Sequence, residues 1–345
     1  MKTIVLTGGG TGGHIYPSLA LVPKLKQCFD RIHFIGGTGI ERNIVENAGL
    51  PYSGVPTVKF DRALSLSNLK IPFKLHSSVK VAKGLLRNLE PDIVFSKGGY
   101  ASLPTVIAAR QMKIPVVCHE SDATLGLANK VAKMYGATVS TAMAETAEKN
   151  ENYIYVGMPL RDELFSISSS TAKEKIGYKS LPVLLVIGGS SGAVFLNKVI
   201  YSALPNLTQK YFVVHIAGRN IDDLVKSKNY LQIEYTNQIE VYYAAADFVV
   251  SRAGATAVAE LSALNKRAII VPLPKGSSRG DQLANAELAR ELGAKVIFQH
   301  DFNADVLCDA LSTLSLAPPM RTSGKNANIA LVNLLAEKSV PFKTK

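Results

Sequence analysis

Residues 4–14 read I-V-L-T-G-G-G-T-G-G-H, and residues 184–192, about half a chain later, read L-L-V-I-G-G-S-S-G. Each opens as a short apolar run of the kind that forms a strand buried on both faces. Each then turns through glycines into a helical pattern. Such turns bring backbone N–H groups and a helix N-terminus close to an anionic ligand. Two of them in one chain imply two similar halves.

Comparable β-branched runs recur at 3–6, 32–35, 92–95, 115–118, 138–139 and 153–156, and again at 183–187, 212–216, 231–233, 248–250, 268–271 and 295–298. Helical patterns at 19–28, 79–89, 103–112, 196–204, 256–264 and 282–292 separate most of them. Alternation of strand and helix predicts an α/β protein of two doubly wound, Rossmann-like parallel-sheet domains. The boundary is expected near 157–170, where Met158-Pro159 precedes a serine-rich stretch, giving domains 1–160 and 161–345. Ligands of such sheets bind beyond the carboxyl ends of the strands, where the glycine turns fall.

The 345 residues are long enough for two ordinary domains, and 47% hydrophobic content fits a globular chain. With 39 Lys+Arg against 27 Asp+Glu, the net charge of +12 favours acidic partners: nucleic acid, phosphorylated ligands or an anionic membrane surface. Nucleic acid is not expected as a partner. The basic residues are scattered, Trp is absent, and no RNA-module signature occurs. Cys28, Cys118 and Cys308 stand alone, which suits a reducing cytosol. The opening run Ile4–Leu6 is too short for a signal peptide, and no apolar stretch approaches the ~20 residues of a membrane span, so any membrane contact is expected to be peripheral.

Gly8, Gly10 and Gly13 formally satisfy G-x-G-x-x-G, but a dinucleotide site wants an acid ending the next strand, and none occurs before Glu41. No Gly-Lys-Ser or Gly-Lys-Thr marks a Walker loop. A tight turn without a ligand is the plain alternative. A third glycine site, Phe95-Ser96-Lys97-Gly98-Gly99-Tyr100-Ala101-Ser102, also follows a strand and opens a helix. Three such turns suit a diphosphate and, at Gly98, Gly99 and Tyr100, an acceptor phosphate. Each helix N-terminus contributes roughly 0.3–1 kcal/mol toward an anion. No D-x-D or H-x-x-x-H cluster is present, so neither a catalytic metal nor a cofactor is expected.

Taken with residues 8–20, G-G-G-T-G-G-H-I-Y-P-S-L-A, six further blocks follow in order. They are Lys97-Gly98-Gly99-Tyr100, His119-Glu120-Ser121-Asp122 with 126–130, Val156-Gly157-Met158-Pro159-Leu160-Arg161, 188–193, Ser251-Arg252-Ala253-Gly254-Ala255, and Asp281-Gln282 with Asn285-Ala286. This set resembles glycosyltransferase family 28, the peptidoglycan N-acetylglucosaminyltransferases acting on undecaprenyl-linked muramyl-pentapeptide. The resemblance implies the GT-B fold, two Rossmann-like domains with a cleft between them, the last helix (after about 320) returning to the first. It implies UDP-N-acetylglucosamine as donor, an undecaprenyl-linked acceptor, and a peripheral place on the cytoplasmic face of the cell membrane. By the same resemblance Arg161 and Ser190 meet the diphosphate, the backbone near Thr236 faces uracil, Glu260 binds the ribose hydroxyls and Gln282 the sugar, while Thr11, Gly12 and Gly13 close on the donor. The residue chemistry agrees: a carboxylate accepts twice from vicinal hydroxyls, and an arginine fork matches a phosphate.

In that reading the acceptor hydroxyl needs a base and the departing UDP a cradle. His14, at the first glycine turn, is the first candidate base; a structural hydrogen bond or a donor to phosphate is the alternative. Glu120 and Asp122 are the other catalytic candidates. Glu120 shapes the acceptor pocket or holds an orienting bond. Many members of the family carry asparagine where Asp122 stands, and two roles stay open for it, donor contact or assistance to the acceptor hydroxyl. Residues 62–89 hold Arg62, Lys70, Lys74, Lys80, Lys83 and Arg87 and no acid, with Leu75, Val79, Ala82 and Leu86 at helical spacing. This is either a leaflet-binding face or a crossover helix with its apolar row on the sheet. Other functions compatible with the pattern are a GT-B transferase with a different lipid or natural-product acceptor, a UDP-N-acetylglucosamine 2-epimerase, or a non-catalytic nucleotide-sugar binder.

Overall fold

A computed structural model describes residues 1–39, 41–57, 71–148, 150–177, 180–188, 193–218, 225, 227–275, 280–322 and 326–341. The chain divides into two compact units, Met1–Arg161 with Lys325–Lys345, and Asp162–Gly324.

The first unit is built on strands β1 (Thr3–Thr7), β2 (Arg31–Gly36), β3 (Tyr52–Gly54), β4 (Ile93–Ser96), β5 (Val116–Glu120), β6 (Thr138–Thr141) and β7 (Tyr153–Tyr155). They pair in parallel in the order β3-β2-β1-β4-β5-β6-β7. The order reverses between β1 and β4, so the chain leaves those two neighbouring strands toward opposite sides. That opens a crevice at their carboxyl ends. Ile4, Leu6 and Phe95 lie in the core on one face with Leu331 and Leu335 of the helix Ala327–Lys338. On the other face Val5, Val94 and Cys118 are equally buried. Both faces are therefore covered, as uninterrupted apolar strands require.

The second unit contains β8 (Val183–Ile187), β9 (Phe212–Ile216), β10 (Tyr230–Ile233), β11 (Phe248–Ser251), β12 (Arg267–Ile270) and β13 (Lys295–Val296). The parallel order is β10-β9-β8-β11-β12-β13, with its reversal between β8 and β11. Each unit is thus doubly wound, as the alternating pattern predicts.

Two local details depart from the sequence reading. The single helix expected over 19–28 is two short ones, Tyr16–Leu19 and Val22–Leu25, each opening on a proline. Pro23 lacks an N–H and its ring excludes the Leu19 carbonyl, so the helix restarts there. The strand β3, which has no apolar run of its own, forms by pairing Tyr52 to Gly54 with Phe34 to Gly36.

In the helix Ile71–Leu89 the row Val79, Ala82 and Leu86 is buried in the core of the first unit, with Leu75 partly buried against it. The apolar row of the basic segment therefore faces the sheet. Lys74, Lys80 and Arg87 are exposed, as is Phe73 at 80%. Arg62 and Lys70 lie outside the described residues. Among the described residues no helix is long and apolar enough to cross a membrane.

Candidate active site

In the first unit the loops after β1, β4 and β5 meet at the point where strand order reverses. The single 3-10 turn Gly12–His14 follows β1 and carries His14, half-buried. Its Nδ1 stands 3.3 Å from the Lys97 carbonyl oxygen. A carbonyl only accepts, so this contact places the ring proton on Nδ1 and makes Nε2 the basic nitrogen. The third glycine turn closes against the first. Gly99 has φ +81°, and a side-chain carbon there would overlap the Gly9 carbonyl and stand 3.0 Å from His14 Cδ2. The Tyr100 ring lies over Gly10, where an added carbon would be 2.6 Å from Cε1. Only glycine admits both the conformation and the approach.

Glu120 ends β5, 5% exposed. Its Oε1 accepts from Ser121 N (2.9 Å) and Asp122 N (3.1 Å), and its Oε2 from Gly126 N (2.8 Å) and Asn129 Nδ2 (2.9 Å). Four donors converge on one carboxylate, so this side chain shapes the loop 121–126. Asp122 sits half-buried on that loop. His119 is fully buried, bonding Gly157 O at 2.9 Å through Nε2, and burial with the nearby Lys97 charge holds it well below the usual histidine range. Lys97 is 1% exposed, and its Nζ donates to Ser121 Oγ. Burial lowers this ammonium to about 8, against the opposing pull of Glu120 and Asp122.

In the second unit a cavity of about 450 Å³ opens at the corresponding reversal, lined by Gly188 after β8, Arg252 after β11, Phe195, Gly254, Gln282 and Gln299, among others. Gly254 caps the N-terminus of the helix Ala255–Ala263. Arg252 is 7% exposed; its Nη1 donates to the Val271 carbonyl at 3.1 Å and its guanidinium lies 5.8 Å from the Phe195 ring centroid. Among the described residues its Nε is buried without a hydrogen-bond partner, and burial lowers the guanidinium's pKa. No carboxylate pairs with it among the described residues. A desolvated guanidinium beside a helix N-terminus is built to receive an anion. Gln282 Oε1 accepts from Leu273 N at 3.0 Å, and among the described residues Gln299 Oε1 is buried and unpartnered.

The other expected site residues fall nearby or elsewhere. Glu260, one turn beyond the cavity-lining Ala257, accepts from Tyr243 OH at 3.0 Å. Thr236 Oγ1 accepts from Gln238 N at 2.9 Å in a polar turn. Arg161 belongs to the first unit, its guanidinium 5.4 Å from the Tyr16 ring centroid. Thr11 and Gly13 are exposed and Gly12 half-exposed on the first unit's turn. Ser190 lies outside the described residues. Among the described residues no three His, Cys, Asp or Glu side chains gather as metal ligands would. Arg252 and Lys97 were visible only as motif members. The usable signal was a basic residue set directly after a buried strand and beside a helix-opening glycine.

Two doubly wound parallel-sheet units in one chain are the architecture of the GT-B fold. Residues 4–141 match the glycosyltransferase family 28 N-terminal domain and residues 183–338 its C-terminal domain. The chain is 42% identical over 308 residues, 87% of each chain, to the UDP-N-acetylglucosamine–N-acetylmuramyl-(pentapeptide) pyrophosphoryl-undecaprenol N-acetylglucosamine transferase of Lachnoclostridium phytofermentans. It is 41% identical over 322 residues, 91% of each chain, to the protein of the same name from Lachnospira eligens. The crystal structure of Acinetobacter baumannii MurG superposes with a TM-score of 0.73 at 24% identity, covering 98% of this chain and 100% of that one, a likeness of fold. The chain belongs to glycosyltransferase family 28.

Proposed function

We propose that this enzyme transfers N-acetylglucosamine, with inversion, from UDP-N-acetylglucosamine to the muramic acid 4-hydroxyl of undecaprenyl-pyrophosphoryl-MurNAc-pentapeptide. The observation that carries the reading is 42% identity over 87% of the chain to a relative named for that transfer. The donor is assigned to the second unit. Arg252 and the helix N-terminus at Gly254 take the diphosphate, with Arg161 and Ser190 as the family pattern implies. Gln282 takes sugar hydroxyls, Glu260 the ribose and the turn at Thr236 the uracil. The acceptor is assigned to the first unit, its phosphates at the turn Gly98-Gly99-Tyr100. Thr11, Gly12 and Gly13 keep their family assignment to the donor.

The acceptor oxygen attacks the anomeric carbon as the bond from that carbon to the β-phosphate oxygen breaks. The electron pair stays on UDP, and the hydroxyl proton passes to Nε2 of His14. The Lys97 carbonyl at Nδ1 supports this assignment, because it fixes the tautomer a base needs. Glu120 is a positioning residue, and Asp122, on the loop it organises, is assigned to the acceptor. The exposed Lys74, Lys80, Arg87 and Phe73 supply an anionic-membrane contact, each basic residue worth roughly 1 kcal/mol near such a surface.

The test is turnover of labelled donor with the undecaprenyl-pyrophosphoryl acceptor, with other lipid acceptors, and alone. Label in the undecaprenyl acceptor supports the reading. Epimerised donor in the absence of acceptor, or preference for another acceptor, rejects it.

A further inference from the structure

One buried cation is used by nothing in that mechanism. Lys97 directly follows β4 and touches all three loops of the first unit's site. Its ammonium donates to Ser121 Oγ on the loop after β5, and the Ser121 hydroxyl in turn points to Met158 Sδ at 3.7 Å. Its carbonyl faces His14 on the turn after β1. Its Cβ lies 3.4 Å from where a side-chain carbon on Gly8 would stand. Charged and titratable groups around it are Glu120 and Asp122, which favour its charge, and His119, whose own pKa it lowers. Four donors already occupy the Glu120 carboxylate, and among the described residues Lys97 makes no direct ion pair. Among the described residues the ammonium has a single hydrogen-bond acceptor for its three N–H groups.

A buried charge so poorly paired costs stability, and an apolar side chain of equal length would fold better. The residue that bears this cost immediately precedes the Gly98–Gly99 turn. We infer that Lys97 is a positioning residue for transfer: its ammonium holds the loop after β5 against the glycine turn after β4 and supplies positive potential under the acceptor's diphosphate. This rests on the functional reading above and adds a residue that the family pattern did not assign.

The experiment compares the parent with Lys97→Met and Lys97→Ala in the transfer assay at pH 7, with donor KM, acceptor KM, kcat and thermal midpoint measured separately. For Lys97→Met the expected result is kcat over acceptor KM down about 100-fold, the cost of a misplaced site. Donor KM stays within about twofold and the midpoint does not fall. Ethylammonium added to Lys97→Ala restores part of the lost rate, and the uncharged propanol does not. Parent-like acceptor kinetics in Lys97→Met overturn the inference. So does a loss shared equally by donor KM, with a lowered midpoint and no rescue by the amine. A parent inactive on the lipid acceptor overturns the functional reading first; an active parent with an unaffected variant overturns this inference alone.

Discussion

Replacing Glu120 by Gln tests whether its carboxylate builds the site or reacts in it. The side chain is 5% exposed and accepts four hydrogen bonds at 2.8–3.1 Å. Glutamine keeps one oxygen and turns the other into an NH2 group facing two donors. Either amide orientation meets the same conflict, because each oxygen holds two N–H groups. Two charge-assisted bonds are lost at roughly 1.5–3 kcal/mol each, and the two that remain become neutral and weaker. The sum is about 4–6 kcal/mol, a large part of the roughly 5–15 kcal/mol that holds a domain together. At roughly 2–4 °C per kcal/mol for a unit of this size, the first unit should melt about 8–24 °C earlier. The assay is thermal unfolding with donor titration in parallel. Donor affinity, placed in the second unit, should stay near the parent value while transfer is lost. A Glu120→Gln protein that melts like the parent yet does not transfer would refute the reasoning and make the carboxylate a chemical participant.

Three further outcomes follow from the same geometry. Arg252→Met should weaken UDP-N-acetylglucosamine binding about 10–100-fold by calorimetry without lowering stability, because among the described residues no carboxylate pairs with the buried guanidinium; unchanged affinity would remove it from the diphosphate. Glu260→Gln should raise donor KM about 10-fold with kcat within about threefold, the mark of binding shared by ground and transition states; a selective fall in kcat would contradict a ribose role. Lys97 is held at about 8 by burial against an ordinary 10.5. The unfolded chain therefore binds that proton more tightly, parent stability rises with pH between those values, and the burial penalty is complete at pH 7 at roughly 3 kcal/mol. Denaturant unfolding should find Lys97→Met more stable than the parent at pH 7, with the gap closing by pH 10; a less stable variant at pH 7 would show that the ammonium is well paired.

Most of the architecture could be read along the chain, because buried parallel strands write themselves as continuous apolar runs and doubly wound units space them with helices. β3 could not, since three residues with Gly54 among them carry no periodicity and gain strand form only from β2. The break at Pro23 was legible in principle, as its ring falls against the carbonyl four residues back. The candidate site divides along the same line. Glycine turns announce themselves by composition, and His14 sits inside one. The four bonds on Glu120 depend on the path of the loop 121–126, which no local pattern encodes. The burial of Lys97 and Arg252 arises from strands distant in sequence, so their desolvation, the property that makes them informative, was invisible until the sheets were assembled.

The most direct test of the whole account is calorimetric titration of UDP-N-acetylglucosamine into the protein in excess chelator. A single site per chain, unaffected by added divalent cation and weakened in Arg252→Met, is the expected result. No association, or association that requires the cation, would contradict an arginine and a helix N-terminus as the cradle for the departing diphosphate.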